Sequence, residues 1–469
     1  MVVSEGKVRP QRKPQHRRPS APREHVVEDN QPGMEARQAA TRLLSAVIDA
    51  RTPLDALTDG EHGHPQYLAL DGRDRALVRA ILVSALRFRR TIEAIIGSQL
   101  DRALPGNARS LSALLHVAAA QILFLDVPDS AAVNLAVAQA KADPRSARFA
   151  ALVNAILRNI GRKKATLLPK TLEKTADAPD WMIERLEAAY GKDTTRQILE
   201  VHRTESPVDF SVKSQPDNWA EKFGGRTLPN GSVRVDDLSV SVPELPGFAD
   251  GEWWVQDAAA SLPPRLLGNV AGLEVADLCA APGGKTAALA AAGAKVTAVD
   301  QSGNRLKRLK SNLARLGLSA EVVEADILKW QPEQKFDAIL LDAPCSSTGT
   351  VRRHPDVLWT KSPEDIAKLA GLQRRLLERC FELVKPGGVV VFSNCSLDPE
   401  EGEDLVQSLL KERPDISLDR IQPEELPGAE HFIAEEGWLR TIPTADDGSS
   451  GQLAGVDGFF AARFRQRAG

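Results

Sequence analysis

Leu273-Glu274-Val275-Ala276-Asp277-Leu278 followed by Cys279-Ala280-Ala281-Pro282-Gly283-Gly284-Lys285-Thr286 is the stretch that decides the fold of this chain. Its first part is a short apolar run of strand type, and its second part is a Gly-rich turn that lets the backbone approach a ligand closely. A phosphate-binding P-loop would need a glycine five residues before Gly284, where the chain has Cys279. The dinucleotide fingerprint G-x-G-x-x-G is also absent. The stretch therefore predicts a strand, a ligand-binding turn and a helix, without a P-loop or a dinucleotide site.

The pattern of strand, loop and helix repeats from residue 273 onward. Strand-like runs cover 273–278, 295–299, 320–324, 336–341 and 389–392, and the helical stretches between them include 305–316 and 366–384. Alternation of this kind predicts a doubly wound parallel sheet. The run 457–464 predicts a final strand. We therefore expect an α/β domain.

Two cysteines follow two of these strand-like runs. Cys345 stands in Leu341-Asp342-Ala343-Pro344-Cys345-Ser346, and Cys395 stands in Phe392-Ser393-Asn394-Cys395-Ser396. The carboxyl ends of parallel strands lie at the edge of an open sheet where ligands bind and chemistry takes place. If the two strands are neighbours, about 4.8 Å apart, both thiols face one cleft. Two reduced cysteines in one cleft suggest chemistry with a sulfur nucleophile.

Acidic residues end the second and third strand-like runs. Asp300 is positioned to accept hydrogen bonds from ribose hydroxyls, and Asp326 is positioned within reach of an adenine edge. Together with the Gly-rich turn they predict a nucleoside-bearing cofactor without a pyrophosphate, for which S-adenosylmethionine is the obvious candidate. The predicted cofactor-binding set is Cys279, Ala280, Ala281, Pro282, Gly283, Gly284, Lys285, Asp300, Arg305, Asp326 and Asp342.

The chain before the α/β domain divides into three segments. Residues 1–33 are rich in Pro, Gln and Arg and predict a disordered basic tail, which either touches RNA phosphates or is simply solvated. Residues 34–165 have helical periodicity and predict an all-α domain. Residues 166–254 combine an amphipathic helix with short strand-like pieces and predict a small α+β connecting module. The α/β domain then covers residues 255–469.

The helical segment contains an Arg-rich stretch with two possible roles. Its members are Arg73, Arg75, Arg79, Arg87, Arg89 and Arg90. Such a stretch either contacts RNA phosphates or forms a solvated helix face, and the sequence favours neither. Phosphate contact is the better interpretation for Arg352, Arg353 and His354, which follow the Cys345 segment.

The composition is that of an ordinary globular protein, with 42% hydrophobic and 26% charged residues. Four cysteines without C-x-x-C spacing argue against a disulfide framework and a structural zinc site, so we expect no metal and a reducing, cytoplasmic location. Cys380 has the helical spacing of a core residue, and Cys279 is expected to pack at the turn. No apolar stretch reaches the roughly 18 residues that span a bilayer, so we expect no membrane partner, and we expect a monomer.

Several motifs together resemble a known family. The motifs of the Nop/Sun family of RNA cytosine-5 methyltransferases are similar to DLCAAPGGKT (277–286), DAPCSSTG with RRHPD (342–356), KPGG (385–388) and SNCSLDPEE (393–401). The helical segment, with FLDVP (124–128) and AVN (132–134), is similar to a NusB-type RNA-binding domain. The resemblance implies a Rossmann-like class I methyltransferase domain behind an N-terminal NusB-like domain. It implies S-adenosylmethionine as cofactor and RNA as partner, with 16S ribosomal RNA favoured over tRNA.

The resemblance also implies a catalytic set. Cys395 would attack C6 of a cytosine and so make C5 nucleophilic, and Cys345 would assist the elimination that frees the product. Asp342 could hydrogen-bond the base at N3 and N4, and Lys285 could lower a thiol pKa or position the base. The target base must leave its stack to reach the cleft. DNA cytosine methyltransferases would instead use Cys345 as the nucleophile, and a non-catalytic RNA-binding factor would use neither thiol.

Two positions depart from the family's pattern. Asn394 stands where the family usually has Thr before the nucleophilic cysteine, and we expect altered hydrogen bonding there rather than lost activity. Gly402 stands where family members usually have Asn, with a consequence that the sequence does not indicate. Further upstream, Trp253 and Trp254 are expected to pack in the structure rather than to contact a ligand.

Overall fold

The computed structural model describes Met1 and residues 31–238, 240–445 and 451–466. Most of the basic tail expected at residues 1–33 therefore lies outside the described residues. Among the helices of the described ranges, none has both the length and the apolar character that crossing a membrane requires.

Residues 31–172 form a helical domain. Its α-helices are α1 (Met34–Ala50), α2 (Leu54–Leu57), α3 (Pro65–Leu68), α4 (Gly72–Arg87), α5 (Arg89–Gly97), α6 (Arg109–Phe124), α7 (Asp129–Ala142) and α8 (Ala150–Leu172). Nearly every residue of 111–123 in α6 is buried, because this segment consists mainly of Leu, Ala, Val and Ile. The neighbouring helices pack around α6 in one apolar core. The all-α prediction for this part is confirmed.

Residues 173–265 connect the helical domain to the large sheet. They form α9 (Asp180–His202), with a non-helical break at Gly191, then β1 (Val208–Val212), α10 (Pro216–Phe223), β2 (Arg226–Thr227), β3 (Val233–Val235), β4 (Trp253–Val255) and α11 (Leu262–Arg265). The four strands pair antiparallel in the order β2-β3-β1-β4. Trp253 is fully buried with its ring edge-on to Phe210, and Trp254 is also buried. The packing predicted for both tryptophans is confirmed.

The large sheet begins at residue 274. Its elements are β5 (Glu274–Leu278), α12 (Gly284–Ala291), β6 (Lys295–Asp300), α13 (Gly303–Leu316), β7 (Glu321–Glu324), β8 (Phe336–Asp342), α14 (Val357–Thr360), α15 (Pro363–Leu383), β9 (Val384–Asn394), α16 (Glu403–Glu412), β10 (Ile416–Leu418), β11 (Leu439–Thr441) and β12 (Phe459–Gln466). The strand order is β10-β12-β9-β8-β5-β6-β7, with β11 paired to β12. Strands β9, β8, β5, β6 and β7 are parallel, as the alternation of strands and helices predicts.

The sheet is mixed rather than wholly parallel. β12 runs antiparallel to β9, and β10 and β11 pair antiparallel with β12. The expectation of a parallel sheet is therefore wrong at this edge. Apolar patterning identifies a strand but not its direction, and the long connection after β9 returns the chain to the same end of the sheet, where Phe460 pairs with Asn394. The final strand itself is present close to the predicted position.

The loop between β8 and α15 is held by the helical domain. Asp356 Oδ2 accepts a hydrogen bond from the backbone N of Leu54 at 2.9 Å, and Trp359 Nε1 donates to the backbone O of Leu86 at 2.9 Å. The guanidinium carbon of Arg89 lies 5.5 Å from the ring centre of Trp359. The segment that carries Cys345 is therefore supported from outside the α/β domain.

Most of the Arg-rich stretch on α4 and α5 makes contacts inside the protein. Intramolecular hydrogen bonds, ion pairs or ring contacts are made by Arg75, Arg79, Arg87, Arg89 and Arg90. Arg79 Nη1, for example, donates to Thr58 Oγ1 at 2.8 Å. These contacts join the helices to neighbouring parts of the chain, so a simple solvated helix face does not describe the buried Arg87, whereas Arg79 remains exposed.

Candidate active site

Two neighbouring parallel strands bring the cysteines to the same edge of the large sheet. β8 and β9 are in register with Asp342 opposite Ser393, and the backbone N of Ala343 continues the pairing by donating to Ser393 O at 2.8 Å. Beyond these strand ends the sulfur atoms of Cys345 and Cys395 lie 3.4 Å apart, and both residues are free thiols. The structure thus brings the two cysteines together in one cleft.

The Cys345 loop folds back onto the end of β9. Gly349 N donates to Cys395 O at 2.9 Å, and Gly349 O accepts from Gly458 N at 2.9 Å. A Cβ on Gly349 would lie 2.0 Å from Gly458 O, so only glycine permits this approach of two backbones. Backbone contacts therefore fix the distance between the two cysteine segments.

The two thiols differ in how readily they ionise. Hydrogen-bond contacts with the Cys345 thiol at 3.4 Å and with the Ser347 hydroxyl at 3.6 Å lower the pKa of Cys395, although burial opposes this. The same thiol contact raises the pKa of Cys345 far above its usual value, and burial adds to the shift. Of the pair, Cys395 therefore ionises more readily, and the thiolate is the nucleophilic form of cysteine. Nothing in the sequence distinguishes Ser347 from the serine before it, so its contact with both thiols emerges only from the fold.

Asp342 and Lys285 form an ion pair beside the thiols. Lys285 is the second residue of α12, and its Nζ lies 2.7 Å from Asp342 Oδ2. Ser393 Oγ donates to Asp342 Oδ1 at 3.1 Å. The positive charge of Lys285 also contributes to the lowered pKa of Cys395, but less than the hydrogen bonds from Cys345 and Ser347. The Asp342 carboxylate is thus held at the end of β8, on the strand next to the one that leads into Cys395.

A buried carboxylate supports the backbone behind both cysteines. Glu401 has no exposed surface and accepts hydrogen bonds from Ser346 N at 2.9 Å and Gln373 Nε2 at 2.8 Å. Asn394 Nδ2 donates to Glu401 O at 2.7 Å, and Asn394 Oδ1 accepts from Ser396 N at 3.0 Å. Asn394 is buried and caps the turn that carries Cys395. Its departure from the family's usual Thr therefore changes the hydrogen bonding that holds this turn.

Gly402 accommodates the side chain of Arg440. A Cβ at position 402 would lie 2.7 Å from Arg440 Nη2 and 3.0 Å from Phe460 Cγ. Arg440 pairs with Glu403 at 2.6 Å and lies 5.0 Å from the ring centre of Phe460. A longer side chain at 402 would displace this guanidinium, so the second departure is matched to the arginine at 440.

Asp300, at the end of β6, braces the Gly-rich turn between β5 and α12. Asp300 Oδ2 accepts from Ala281 N at 3.2 Å, and Oδ1 accepts from Ser302 N at 2.9 Å. Arg305 lies 3.3 Å from Asp300 Oδ2 and also donates to Ala281 O. Asp300 is only 2% exposed. The structure therefore gives Asp300 and Arg305 contacts with the turn itself, which the sequence pattern does not reveal.

The open side of this turn carries Gly283 and Asp326. Gly283 has a φ of 102°, and a Cβ there would lie 2.9 Å from Leu309 Cγ, so the turn requires glycine. Asp326 lies just beyond the end of β7, accepts from Leu328 N at 3.1 Å and keeps 43% of its side chain exposed. Asp326 is therefore the acid at this edge that is more open to a ligand, while Asp300 faces inward.

The phosphate contact expected of Arg352 is wrong. Arg352 is 2% exposed and pairs with Asp257 at 2.5 Å and Asp457 at 2.7 Å, because these two buried carboxylates need a cation close by. His354 Nδ1 lies 3.3 Å from Asp55 on α2, so it too has an internal partner. Arg353 shares Asp457, but 35% of its side chain is exposed. Of the three residues, Arg353 and His354, whose side chain is 32% exposed, remain open to an external anion.

The other two cysteines stand apart from the thiol pair. Cys380 is fully buried on α15, and its thiol donates to Leu376 O at 3.2 Å, which confirms the predicted core position. Burial raises the pKa of Cys279, which adopts a φ of 62° where β5 leads into the turn. Within the described ranges, no group of three or more His, Cys, Asp or Glu side chains is placed to hold a metal ion.

Comparison with known proteins identifies the family. Residues 266–465 match the family model for 16S rRNA methyltransferase RsmB/F, and residues 34–162 match the NusB family. The chain is 36% identical over 422 residues to the ribosomal RNA small subunit methyltransferase B of Vibrio cholerae serotype O1, covering 86% of this chain and 95% of that protein. The chain belongs to the RsmB/F family.

Solved structures agree with this assignment of the fold. The crystal structure of PH0851 superimposes with a TM-score of 0.68 at 23% identity, covering 93% of this chain and 99% of that one. A methyltransferase homolog protein from Pyrococcus horikoshii gives a TM-score of 0.50 at 28% identity, covering 60% of this chain and 93% of that one. This RsmB/F family member therefore has an N-terminal NusB domain and a C-terminal α/β methyltransferase domain, as the motifs predict.

Proposed function

We propose that this protein methylates C5 of a cytosine in 16S ribosomal RNA, with Cys395 as the nucleophile and S-adenosylmethionine as the methyl donor. The observation that carries the proposal is the pair of thiols 3.4 Å apart, of which Cys395 has the lowered pKa. The family model and the Vibrio cholerae relative are named for methylation of 16S or small subunit ribosomal RNA, which supports the reaction and the substrate. A tRNA is the alternative substrate.

The edge of the sheet beside the thiols fits a nucleoside-bearing sulfonium. The exposed carboxylate of Asp326 can accept hydrogen bonds from ribose hydroxyls or an adenine amino group. Asp300 and Arg305 hold the Gly-rich turn in place beside this edge. S-adenosylmethionine, when bound, supplies the methyl group as an electrophilic carbon on sulfur.

The first step is attack of the Cys395 thiolate on C6 of the flipped cytosine. A carbon–sulfur bond forms, and the electron pair of the C5–C6 double bond moves through C4 to N3, which takes up a proton. Asp342, fixed by Lys285 and Ser393, lies on the neighbouring strand, where it can hydrogen-bond the base at N3 and N4. C5 becomes enamine-like and forms a carbon–carbon bond to the methyl group, as the carbon–sulfur bond of the sulfonium breaks and its electron pair stays on the departing thioether.

Release of the product requires a base that removes the proton from C5. Formation of the adduct makes the Cys345 thiol easier to ionise, so Cys345 can be that base. Once Cys395 is a thioether it carries no negative charge, so the interaction that contributes most to the raised pKa of Cys345 is gone. Cys345 can then lose its proton to solvent, act as a thiolate and remove the proton from C5. The electron pair re-forms the C5–C6 double bond, Cys395 leaves as a thiolate, and N3 gives up the proton that it took up during attack. The two cysteines thus exchange protonation states between the two halves of the reaction.

The two other hypotheses make different use of the thiols. The DNA-type assignment makes Cys345 the nucleophile, and the raised pKa of Cys345 beside the lowered pKa of Cys395 opposes it. A non-catalytic RNA-binding factor needs neither thiol, nor an ion pair of Asp342 and Lys285 beside them.

One gel separates the three hypotheses. Wild type, Cys395→Ala and Cys345→Ala are incubated with labelled 16S RNA and cofactor, then denatured. We expect no adduct and no methylation from Cys395→Ala, and a persistent covalent protein–RNA complex from Cys345→Ala. The reverse pattern supports the DNA-type assignment, and no adduct from either variant supports a non-catalytic factor. An adduct from Cys395→Ala that survives denaturation contradicts the proposal.

Mapping of 5-methylcytosine decides between the RNA substrates. Bisulfite treatment of 16S RNA and tRNA from a strain that lacks this protein is compared with the parent strain. We expect one cytosine of 16S RNA to lose its methyl group in the deletion strain. Loss from a tRNA with 16S RNA unchanged would contradict the ribosomal substrate and leave the chemistry intact.

A further inference from the structure

A cleft lies where the helical domain, the connecting module and the α/β domain meet. Its volume is about 370 Å³, within the range of small-ligand pockets, roughly 300–1,000 Å³. Its walls include Val83 and Arg87 of α4, residues 205–209 with Val255 of the connecting module, and Arg353 of the loop after Cys345. The reaction proposed above uses none of these side chains.

Arg87 is a buried cation in this cleft without a carboxylate in direct contact. It is 8% exposed, and its Nη2 donates to the backbone O of Arg352 at 3.0 Å. Its Nε has no hydrogen-bond partner among the residues that the structure describes. Burial lowers the pKa of Arg87, and the charge of Glu205 acts in the opposite direction. An anion in the cleft would supply both a hydrogen-bond acceptor and a countercharge.

Arg353 lies between this cleft and the reacting thiols. It follows Cys345 in the same loop, and it shares the carboxylate of Asp457 with Arg352. Burial opposes its charge, but Asp457, Asp257 and the Cys395 thiolate together raise the pKa of Arg353. The Arg353 side chain therefore lines the cleft and is also close enough to Cys395 to interact with it.

Most charges around the cleft are already balanced, including that of Arg353 by Asp457, which leaves Arg87 as the cation of the described lining without a carboxylate in contact. Asp209 is paired with Arg234 at 2.7 Å, and Asp257 is paired with Arg352 at 2.5 Å, so these two acids are already neutralised. Glu205 is exposed at the rim. The apolar part of the mouth is formed by Val255, which is 50% exposed.

We propose that this cleft binds the phosphate–sugar backbone of the substrate RNA next to the flipped cytosine. Arg87 and Arg353 contact phosphate, and Val255 lies against the sugar. This role rests on the RNA methylation proposed above, because a base that leaves its stack displaces the backbone beside it. Guanidinium groups suit this task, since their planar fork matches two phosphate oxygens. The helical domain thereby contributes Arg87 at the reacting nucleotide itself.

Val255→Glu tests the proposal without disturbing a buried partner. The new carboxylate at the mouth repels phosphate, so affinity for a 16S RNA transcript should fall about tenfold, with cofactor affinity unchanged. Val240→Glu is the matched control, because Val240 is also a half-exposed valine of the connecting module but does not line the cleft. Glu205→Gln should have the opposite effect and tighten RNA binding.

Arg87→Gln supplies a second measurement. Loss of one phosphate contact should reduce the slope of log affinity against log salt concentration by about 0.7–0.9. If Arg87 has a purely structural role, the substitution will lower the unfolding temperature and leave that slope unchanged. This result would overturn the assignment of Arg87 as a phosphate contact.

Binding is measured without cofactor, so the result does not depend on methyl transfer. If Val255→Glu binds RNA with wild-type affinity, RNA binding in the cleft is contradicted. The proposed function would still stand if Cys345→Ala formed its covalent adduct. Unchanged affinity for RNA with weaker methylation of assembled small subunits would assign the cleft to a ribosomal protein, which also overturns the proposal.

Discussion

The hydrogen bond between the two thiols gives them different chemical roles. The sulfur atoms of Cys345 and Cys395 lie 3.4 Å apart, and the Ser347 hydroxyl lies 3.6 Å from the sulfur of Cys395. The position of a cysteine after a strand does not decide which one attacks, since both occupy such a position. The pKa shifts in this cluster, lowered for Cys395 and raised for Cys345, favour Cys395.

Replacing Ser347 with Ala should weaken the nucleophile while both thiols remain. Losing this contact should raise the pKa of Cys395, because the hydroxyl no longer stabilises the thiolate. The rate of adduct formation depends on the thiolate fraction, so at pH values below the pKa it should be about tenfold slower, as for the loss of one hydrogen bond to a charged group. Adduct formation measured across pH should rise at a higher pH than in wild type and reach a similar plateau. An unshifted profile would show that Ser347 does not stabilise the thiolate.

Asp300 and Asp326 should respond differently to substitution, although both are acids at the cofactor edge. Asp326→Ala removes an exposed carboxylate, so S-adenosylmethionine should bind about tenfold more weakly, as for loss of one charge-assisted hydrogen bond, with stability unchanged. Asp300→Ala should weaken binding similarly and also lower stability, because Ala281 N and Ser302 N lose their acceptor at about 1–3 kcal/mol each if buried. Calorimetry and thermal unfolding of the cofactor-free protein measure the two effects. Equal stability of the variants would contradict the bracing role of Asp300.

The sequence predicts which residues lie around the two thiols better than it predicts their hydrogen-bond and ion-pair partners. The strand ends place Cys345 and Cys395 together, because the apolar runs before them are unambiguous. Ser347 and the buried acceptor Glu401 are polar residues in polar stretches, and only the folded loop gives them partners. Arg352 has the residue type of a phosphate ligand, but its two carboxylates, Asp257 and Asp457, come from distant parts of the chain.

At the scale of elements, the loop from β8 to α15 joins the two ends of the protein. Its first residues carry Cys345, and its last turn, α14, contacts the helical domain through Trp359. The alternation of strands and helices predicts the five parallel strands on either side of this loop. It does not predict the antiparallel β12, or a loop held by another domain, because both depend on long-range contacts that leave no local periodicity.

Trp359→Phe should measure how strongly the helical domain holds this loop. The phenyl ring can keep most of the packing against Arg89, but the indole donor to Leu86 O is lost. We expect a loss of about 1 kcal/mol in the free energy of unfolding, the usual contribution of one hydrogen bond. Trp330→Phe, whose ring packs on Phe336 inside the α/β domain, controls for the smaller ring. Equal losses in the two variants would show that the Leu86 contact adds nothing to stability.

At the scale of the whole molecule, His202 lies at the junction of the three parts. It is the last residue of α9 and is 4% exposed, and neither ring nitrogen has a hydrogen-bond partner among the described residues. Burial, and then the charge of Arg352, lower the pKa of His202 to about 3. The junction that carries the proposed RNA cleft therefore packs around a neutral imidazole, and it should loosen when that ring must take up a proton.

Replacing His202 with Leu should make the stability of the folded protein less sensitive to acid. The unfolded chain binds a proton on His202 below a pH of about 6.5, whereas the folded protein does so only near pH 3. Between these values the unfolded state holds the extra proton, so the free energy of unfolding falls as the pH falls, by about 1.4 kcal/mol per pH unit. Unfolding midpoints measured from pH 7 to pH 5 should therefore decline less in the variant than in wild type. His116 lies in the core of the helical domain, where burial lowers its pKa to about 4, so His116→Leu should flatten the dependence of stability on pH similarly. Parallel pH curves for wild type and His202→Leu would contradict a buried neutral imidazole at the junction.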